Sequence, residues 1–473
     1  MKQKTLRQLH EALKNGTTTI EALVDASKAT IKEKETDVHA LLGMYSDSLI
    51  ASQVKLAKKM FTDGTATVLT GIPIVLKDNI IVDGEIATGG SKILEHYTGT
   101  YDATVVKKLK AAGAVFLGRA NMDEFAMGGS TENSAFGPTK NPHDITKVAG
   151  GSSGGSAAVV AYGGVPVSLG SDTGGSIRQP ASFCGIVGLK TTYGDTSRYG
   201  LMAMGSSLDQ IGPFGNTVED VEDVYSIITG YDPLDSTSLP EVIRTKDKPS
   251  NKKVIGVPRS FVGQDGIDKE VLANFEQSLE VLKKIGYTIK DITINQLEKA
   301  LSVYYVVMFA EVSSNLARYD GIRYGLSHPG ETSIRSYFES RTGGFGPEVR
   351  RRILLGTYVL SSGYYDAYYN KANIVRAMLK KEFATIFNDV DAIVTPTSPV
   401  PAFALGEKSS DPLAMYLADI FTVPVNIVGV PAISIPSGMT ESRLPLGVQF
   451  IAAHGREDIL FTIGKDFEKK LSL

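Results

Sequence analysis

Cysteine is nearly absent from this chain: 473 residues contain one, Cys184. That excludes an internal disulfide framework and points to a reducing compartment, so a cytoplasmic location is the expectation. Tryptophan is missing and histidine occurs six times. Scarce histidine matters, because a serine nucleophile needs an adjacent base and histidine is the usual one. His10 and His39 fall in the N-terminal helical region, and none of the six sits in a loop of catalytic type. Positive charge is not in excess either. Forty-nine Lys and Arg stand against 52 Asp and Glu, for a formal net charge of −3, which is no footprint for nucleic acid. No apolar run reaches the roughly 18 residues of a membrane span. The opening MKQKTLRQLHEALKNG lacks the apolar core of a signal peptide, so no membrane association is expected.

Glycine is abundant, at 48 residues, and much of it falls in one central stretch. Such clustering suits backbone held close to a ligand. The chain starts with two amphipathic helical patterns. Leu6, Leu9 and Leu13 share a face, and Asn15-Gly16 ends the first. Thr18, with Glu21 three residues on, offers a capping box for the second. GIPIVLKDNI and GAVFLGRAN read as buried strands flanking the helical ATVVKKLKAAG, a strand–helix–strand unit. Val165 to Leu169 reads as another strand, 268–290 and 348–388 as long helices, and DAIVTPTSPVP and GVPAISIPSG as later strands. Residues 230–252 are the best boundary candidate, but strands resume after them. The expectation is one domain over 1–473: an N-terminal helical segment (1–60), a catalytic core (61–220), and helical insertions with C-terminal strands completing the sheet (221–473).

Two Gly-Gly-Ser elements carry the chemistry, at Ser152 and Ser176. One such loop alone is an ordinary tight turn. The second runs from a strand through Ser171-Asp172-Thr173-Gly174-Gly175-Ser176 into a helix start near Ile177. Successive free amides in such a turn form an anion-binding concavity. The amides of Thr173, Gly174 and Gly175 are therefore candidates for an oxyanion hole, and Ser176 for the nucleophile. With histidine unsuited, the candidate base is a neutral lysine. Lys77 ends an apolar run and is drawn inward. Holding it neutral at pH 7, against an ordinary pKa of about 10.4, costs about 4.6 kcal/mol, which burial can supply. An ion-paired structural lysine is the plainer reading of that segment alone. The first loop also fits G-x-S-x-G, but Asp144 to Ala149 is a poor strand for a nucleophile elbow, and His454 is the only late histidine to serve it. Phosphate-binding glycine patterns are absent. Ser52 and Lys55 form an S-x-x-K without its companion motifs. No metal site is expected.

These residues resemble the amidase signature family, whose glycine–serine signature ends in a GGSIR-type loop. The matching positions are Lys77 in KDN, Ser152 in GGSSGGS and Ser176 in DTGGSIRQP. The resemblance implies that Ser176 attacks, Ser152 relays a proton and Lys77 is the base, with a cis bond between Gly151 and Ser152. It implies an α/β fold, a mixed central sheet covered by helices on both faces. Longer phrases, among them GSTENSAFGPTKNP, NLARYDGIRYG and RRILLGTYVLSSGYYDAYY, are similar to the glutamine-hydrolysing subunits of tRNA-dependent amidotransferases within that family. That likeness implies glutamine held by Tyr304, Arg352 and Asp419, the arginine taking the α-carboxylate and the aspartate the α-ammonium. It implies a heterotrimer in which a B subunit, holding ATP and Mg, converts activated Glu-tRNA(Gln) to Gln-tRNA(Gln). A C subunit braces the pair, and this chain binds no cofactor. VDGEIATGGSKIL, KTTYGDTSRYG and IAAHGREDIL depart from the usual phrases. The rival expectations are a standalone amidase of the same family and an inactive scaffold that only docks partners.

Overall fold

The computed structural model describes residues 4–240, 252–408 and 411–471. Its strands are β1 (Leu41–Met44), β2 (Pro73–Lys77), β3 (Val115–Ala120), β4 (Lys140–Asn141), β5 (Asp144–Val148), β6 (Val167–Asp172), β7 (Val187–Lys190), β8 (Gln210–Gly215), β9 (Val254–Val257), β10 (Thr288–Asp291), β11 (Ala392–Pro396), β12 (Ala432–Met439) and β13 (Pro445–Ala452). Eleven of them form one sheet in the order β1-β3-β2-β6-β8-β7-β12-β13-β11-β9-β10, and β4 pairs with β5 apart from it. The sheet is mixed. β2 runs parallel to β3 and β6, and β9 parallel to β10 and β11, while β8, β7, β12 and β13 join antiparallel. The expected strand–helix–strand unit is the parallel β2–β3 pair.

The helices named below are α1 (Leu6–Lys14), α2 (Ile20–Val38), α3 (Asp47–Thr62), α4 (Thr104–Ala111), α5 (Gly154–Ala161), α6 (Arg178–Cys184), α7 (Val218–Ile228), α8 (Lys269–Lys284), α9 (Ala300–Asn315), α10 (Pro347–Val359), α11 (Lys371–Ile386) and α12 (Val423–Val428). Strand alternation places them on both faces of the sheet. On β2, Val75 joins a cluster with α2, α3, α5 and α6 residues, whereas Ile74 and Leu76 join one with α1, α4 and α7 residues. On β3, Val115 and Leu117 face the first cluster and Phe116 the second. Lys77 shares its parity with Val75, so it faces α5.

Several boundaries differ from the sequence reading. Thr19, not Thr18, caps α2: its extended backbone lets the hydroxyl accept from the Ala22 amide at 3.1 Å, and Glu21 pairs instead with Lys58. The helix expected over 268–290 stops at Lys284, and the chain turns at Gly286 (φ +93) into β10. The stretch 348–388 is two helices, α10 and α11, separated by a turn around Gly363 (φ +86) and a π-helical turn, Asp366–Asn370. The strand expected at Val165 begins at Val167 and runs on to Asp172. Asp144–Val148 is a strand after all, but it pairs with β4 and bridges to Ala404, outside the main sheet, and feeds no elbow. Within the boundary candidate at 230–252, residues 241–251 lie outside the described residues.

One segment, Leu297–Arg318, is long and apolar enough to cross a bilayer, which the sequence reading did not foresee. Half of it is buried in the fold. Val303, Val307, Met308 and Val312 on α9 pack into the largest core cluster, so its apolarity is spent on packing.

Candidate active site

Lys77 is the last residue of β2 and is fully buried. Its Nζ lies 2.8 Å from Ser152 Oγ, 2.8 Å from Ser153 Oγ and 3.0 Å from Ser171 Oγ. Asn79 Nδ2 donates to Ser171 Oγ at 3.0 Å, fixing that hydroxyl. No carboxylate touches the amine among the described residues. Burial pulls its pKa down to about 7, against the upward pull of the more distant Asp123, Asp172 and Asp209. The ion-paired reading of Lys77 fails on that geometry. A neutral amine carries a lone pair, and Ser152 Oγ–H is placed to donate to it.

Ser152 and Ser153 stand at the N-terminus of α5, and the Gly151–Ser152 peptide is cis. The helix starts close against neighbouring chain. A Cβ at Gly155 would lie 2.3 Å from the Ala40 carbonyl and 2.5 Å from that of Asn121, so only glycine lets α5 approach. Gln179 secures the loop: its Oε1 accepts from the Gly151 amide at 2.9 Å, and its Nε2 donates to the Gly129 carbonyl at 2.8 Å.

The second loop leaves β6 at Asp172. That carboxylate accepts from the amides of Gly175 (2.9 Å) and Ile177 (3.1 Å), from Arg178 Nε and Nη2 (3.1 and 3.0 Å), and from Asn426 Nδ2 (2.9 Å). Burial opposes its ionisation, but Arg178, Lys190 and Asn426 outweigh burial and hold its pKa at about 2. The Ser176 carbonyl accepts from the Ser153 amide at 3.3 Å, which brings the two glycine–serine loops together. Ser176 retains 7% of its surface. The amides of Thr173, Gly174 and Ser176 have no acceptor among the described residues. The Gly175 amide is turned back onto Asp172, so of the three amides expected to hold an oxyanion it is the one already engaged.

The remaining candidates converge above this loop. Tyr304, on α9, rests on Gly174, where a Cβ would come within 2.7 Å of the phenol oxygen. Thr422 Oγ1 donates to the Gly174 carbonyl at 2.6 Å and to the Asp419 carbonyl at 3.1 Å. Arg352, on α10, is buried. Its Nε donates to Glu348 Oε1 at 2.8 Å, and its guanidinium lies over the Tyr416 ring at 5.7 Å. Tyr416 Oη also donates to Glu348 Oε1, at 3.0 Å. Burial pushes the Asp419 carboxyl up to about 8; the Asp172 charge adds to this, and Arg352 and Arg178 oppose it.

The sequence reading missed Ser153, Ser171, Asp172, Arg178, Gln179 and Glu348. A charged pair inside an otherwise glycine-rich, apolar stretch was the available signal for Asp172 and Arg178, since buried charges need partners. His454 lines a separate hollow with Arg376 and Lys380 and is not a partner of either serine among the described residues. Cys184 is buried, which raises its thiol pKa and makes it a poor nucleophile.

The family described as Amidase matches residues 22–461. The chain is 48% identical to the A subunit of the glutamyl-tRNA(Gln) amidotransferase of Geobacillus thermodenitrificans, over 98% of this chain and 96% of that one. It is 50% identical to the corresponding protein of Caldanaerobacter subterraneus, over 98% and 96%. The crystal structure of the A subunit of the glutamyl-tRNA(Gln) amidotransferase of Thermotoga maritima superposes with a TM-score of 0.78 at 42% identity, covering 96% of this chain and 94% of that one. A 6-aminohexanoate cyclic dimer hydrolase superposes at 0.84 with 26% identity, over 99% and 97%. A family match that takes in β2, both glycine–serine loops and the residues gathered above them leaves one assignment, and the chain belongs to the amidase family.

Proposed function

We propose that this chain is the glutaminase component of a tRNA-dependent amidotransferase, the A subunit of glutamyl-tRNA(Gln) amidotransferase. The observation that carries the reading is the buried Lys77 amine, 2.8 Å from Ser152 Oγ and with a pKa of about 7, beside the loop that bears Ser176. Neutral Lys77 takes the Ser152 proton as Ser152 takes that of Ser176. Ser176 Oγ bonds to the amide carbon of glutamine, and the carbonyl oxygen gains charge against the amides of Thr173, Gly174 and Ser176. The relayed proton passes to the leaving nitrogen, ammonia departs, and water then cleaves the γ-glutamyl ester by the same relay. In this reading Arg352 is the partner of the α-carboxylate and Asp419 of the α-ammonium, charges that a desolvating site must pair.

Ammonia then goes to a B subunit, which holds ATP and Mg and converts activated Glu-tRNA(Gln) to Gln-tRNA(Gln). A C subunit completes a cytoplasmic heterotrimer, and this chain itself holds no cofactor or metal. The close superposition on a hydrolase of another amide favours one rival, a standalone amidase. The test is trapping with an electrophilic glutamine analogue, 6-diazo-5-oxo-norleucine, followed by peptide mass mapping. A single adduct on Ser176, blocked by glutamine and not by an aliphatic amide, supports the reading. An adduct elsewhere, or blocking by both amides alike, overturns it.

A further inference from the structure

Arg376 lies outside the catalytic cluster, yet it joins the two segments that brace it. It projects from α11 and makes three hydrogen bonds. Nε donates to the Ile427 carbonyl at 3.0 Å, Nη1 to Ser207 Oγ at 2.8 Å and Nη2 to the Ser207 carbonyl at 2.8 Å. Ile427 belongs to α12. The residue capping the start of that helix, Thr422, holds the Gly174 carbonyl, and within the helix Asn426 holds Asp172. Ser207 lies two residues before Asp209. The Asp209 carboxylate accepts from Thr173 Oγ1 at 2.7 Å, and from the Met204 and Gly205 amides at 2.9 and 3.1 Å. One brace therefore grips the nucleophile loop at Asp172 and Gly174, the other at Thr173. The guanidinium fork spans both, and its planarity fixes their spacing in a way that a single ammonium cannot reproduce.

We propose that Arg376 is a positioning residue for amide hydrolysis. Without touching substrate, it sets the separation of Ser207 and Ile427, and through them the aim of the Thr173, Gly174 and Ser176 amides and of the Ser176 hydroxyl. The inference rests on the amide-hydrolase reading above. It differs from a merely structural anchor for α11 in what it moves. A loop displaced by a fraction of an ångström loses alignment with the developing oxyanion, while the Arg352–Asp419 end of the site keeps its grip on substrate. The cost therefore falls on kcat and not on KM.

Arg376 also lines an open hollow of about 860 Å³, shared with Lys380, Phe383, Phe387 and His454. A methylguanidinium ion can enter there and occupy the place of a deleted side chain. With the purified amidotransferase complex, Arg376→Ala should lower kcat for glutamine hydrolysis about 10- to 100-fold and leave KM within about twofold. Ammonia-dependent transfer should stay at the wild-type rate. Low-millimolar methylguanidinium should restore several-fold of the lost kcat in this variant, and nothing in wild type or Lys77→Ala. If the alanine variant fails to fold, Arg376→Lys should show a smaller loss of kcat at unchanged KM, the split between the two being its readout because its side chain still fills the space. Unchanged kcat, a KM that rises in step with the loss, or a loss in the alanine variant that methylguanidinium does not touch would overturn the proposal. Wild type assayed alongside separates the two readings: if it fails to hydrolyse glutamine, the reading of the site falls first and takes this role with it. An active wild type with an unaffected variant removes only the role of Arg376.

Discussion

A lysine with a pKa of about 7 is half protonated at neutral pH. Glutamine hydrolysis should therefore rise with pH along a limb centred near pH 7 and level off above it, because only the neutral amine can accept the Ser152 proton. A kcat/KM profile that stays flat down to pH 6 would remove Lys77 as the base. The same depression has a stability consequence. Between about pH 7 and the unfolded-state value near 10.4, the unfolded chain binds a proton that the folded chain does not, so this residue destabilises the fold most toward the acid side of that window. Lys77→Met, which fills the space without a charge, should abolish hydrolysis and yet melt higher than wild type at pH 7. Its advantage should shrink toward pH 10, as thermal melts across that range would reveal. Lys77→Ala and Ser152→Ala should each cripple hydrolysis, with the double variant little worse than either. One proton relay is lost only once, and multiplicative losses would mean the two residues act separately.

At the scale of elements, the site is built where strand ends meet helix starts. β2 delivers Lys77, β6 delivers Asp172, and α5 and α6 begin at the two glycine–serine loops. Glycine and serine punctuation made those loops legible in the sequence, and short apolar runs bounded by glycine made β2 and β3 legible. What stayed hidden is set by contacts distant in sequence. Ser171 matters because Lys77, at the end of β2, and Asn79, in the turn beyond it, meet it; the Gly175 amide is lost to the oxyanion instead through a local turn back onto Asp172 that residue types alone do not specify. The break between α10 and α11 was likewise invisible in a continuous helical pattern. α10 carries its own test, since Glu348 orients Arg352 through Nε and shares its Oε1 with Tyr416. Glu348→Gln keeps an acceptor there, and Glu348→Ala does not. The alanine variant should raise the KM for glutamine about tenfold, the glutamine variant by less, since a hydrogen bond to a charged group contributes about 1.5–3 kcal/mol. Equal effects would mean that charge, not orientation, is what Glu348 supplies. Arg352→Lys should not restore preference for glutamine over an aliphatic amide, because an ammonium cannot make the bidentate contact.

For the whole molecule, the distribution of chemistry implies a division of labour. On the proposed reading Lys77, Ser152 and Ser176 form a buried relay for hydrolysing an amide, while the chain carries a net charge of −3 and no basic surplus of the kind that grips a polyanion. On that reading, work on tRNA belongs to a partner, to which this chain passes ammonia. Ser176→Ala removes one hydroxyl from a loop whose backbone is held by Asp172, Thr422 and Ser153, so the fold and the docking surfaces should persist. The assembled complex with this variant should lose glutamine-dependent formation of Gln-tRNA(Gln) entirely. Supplied with ammonium salts, it should still amidate at the wild-type rate, with unchanged tRNA affinity and salt dependence. Assays of the two nitrogen sources side by side decide the point. Loss of ammonia-dependent transfer would mean that the nucleophile loop also shapes the synthetic site, and the separation of hydrolysis from transfer would have to be abandoned.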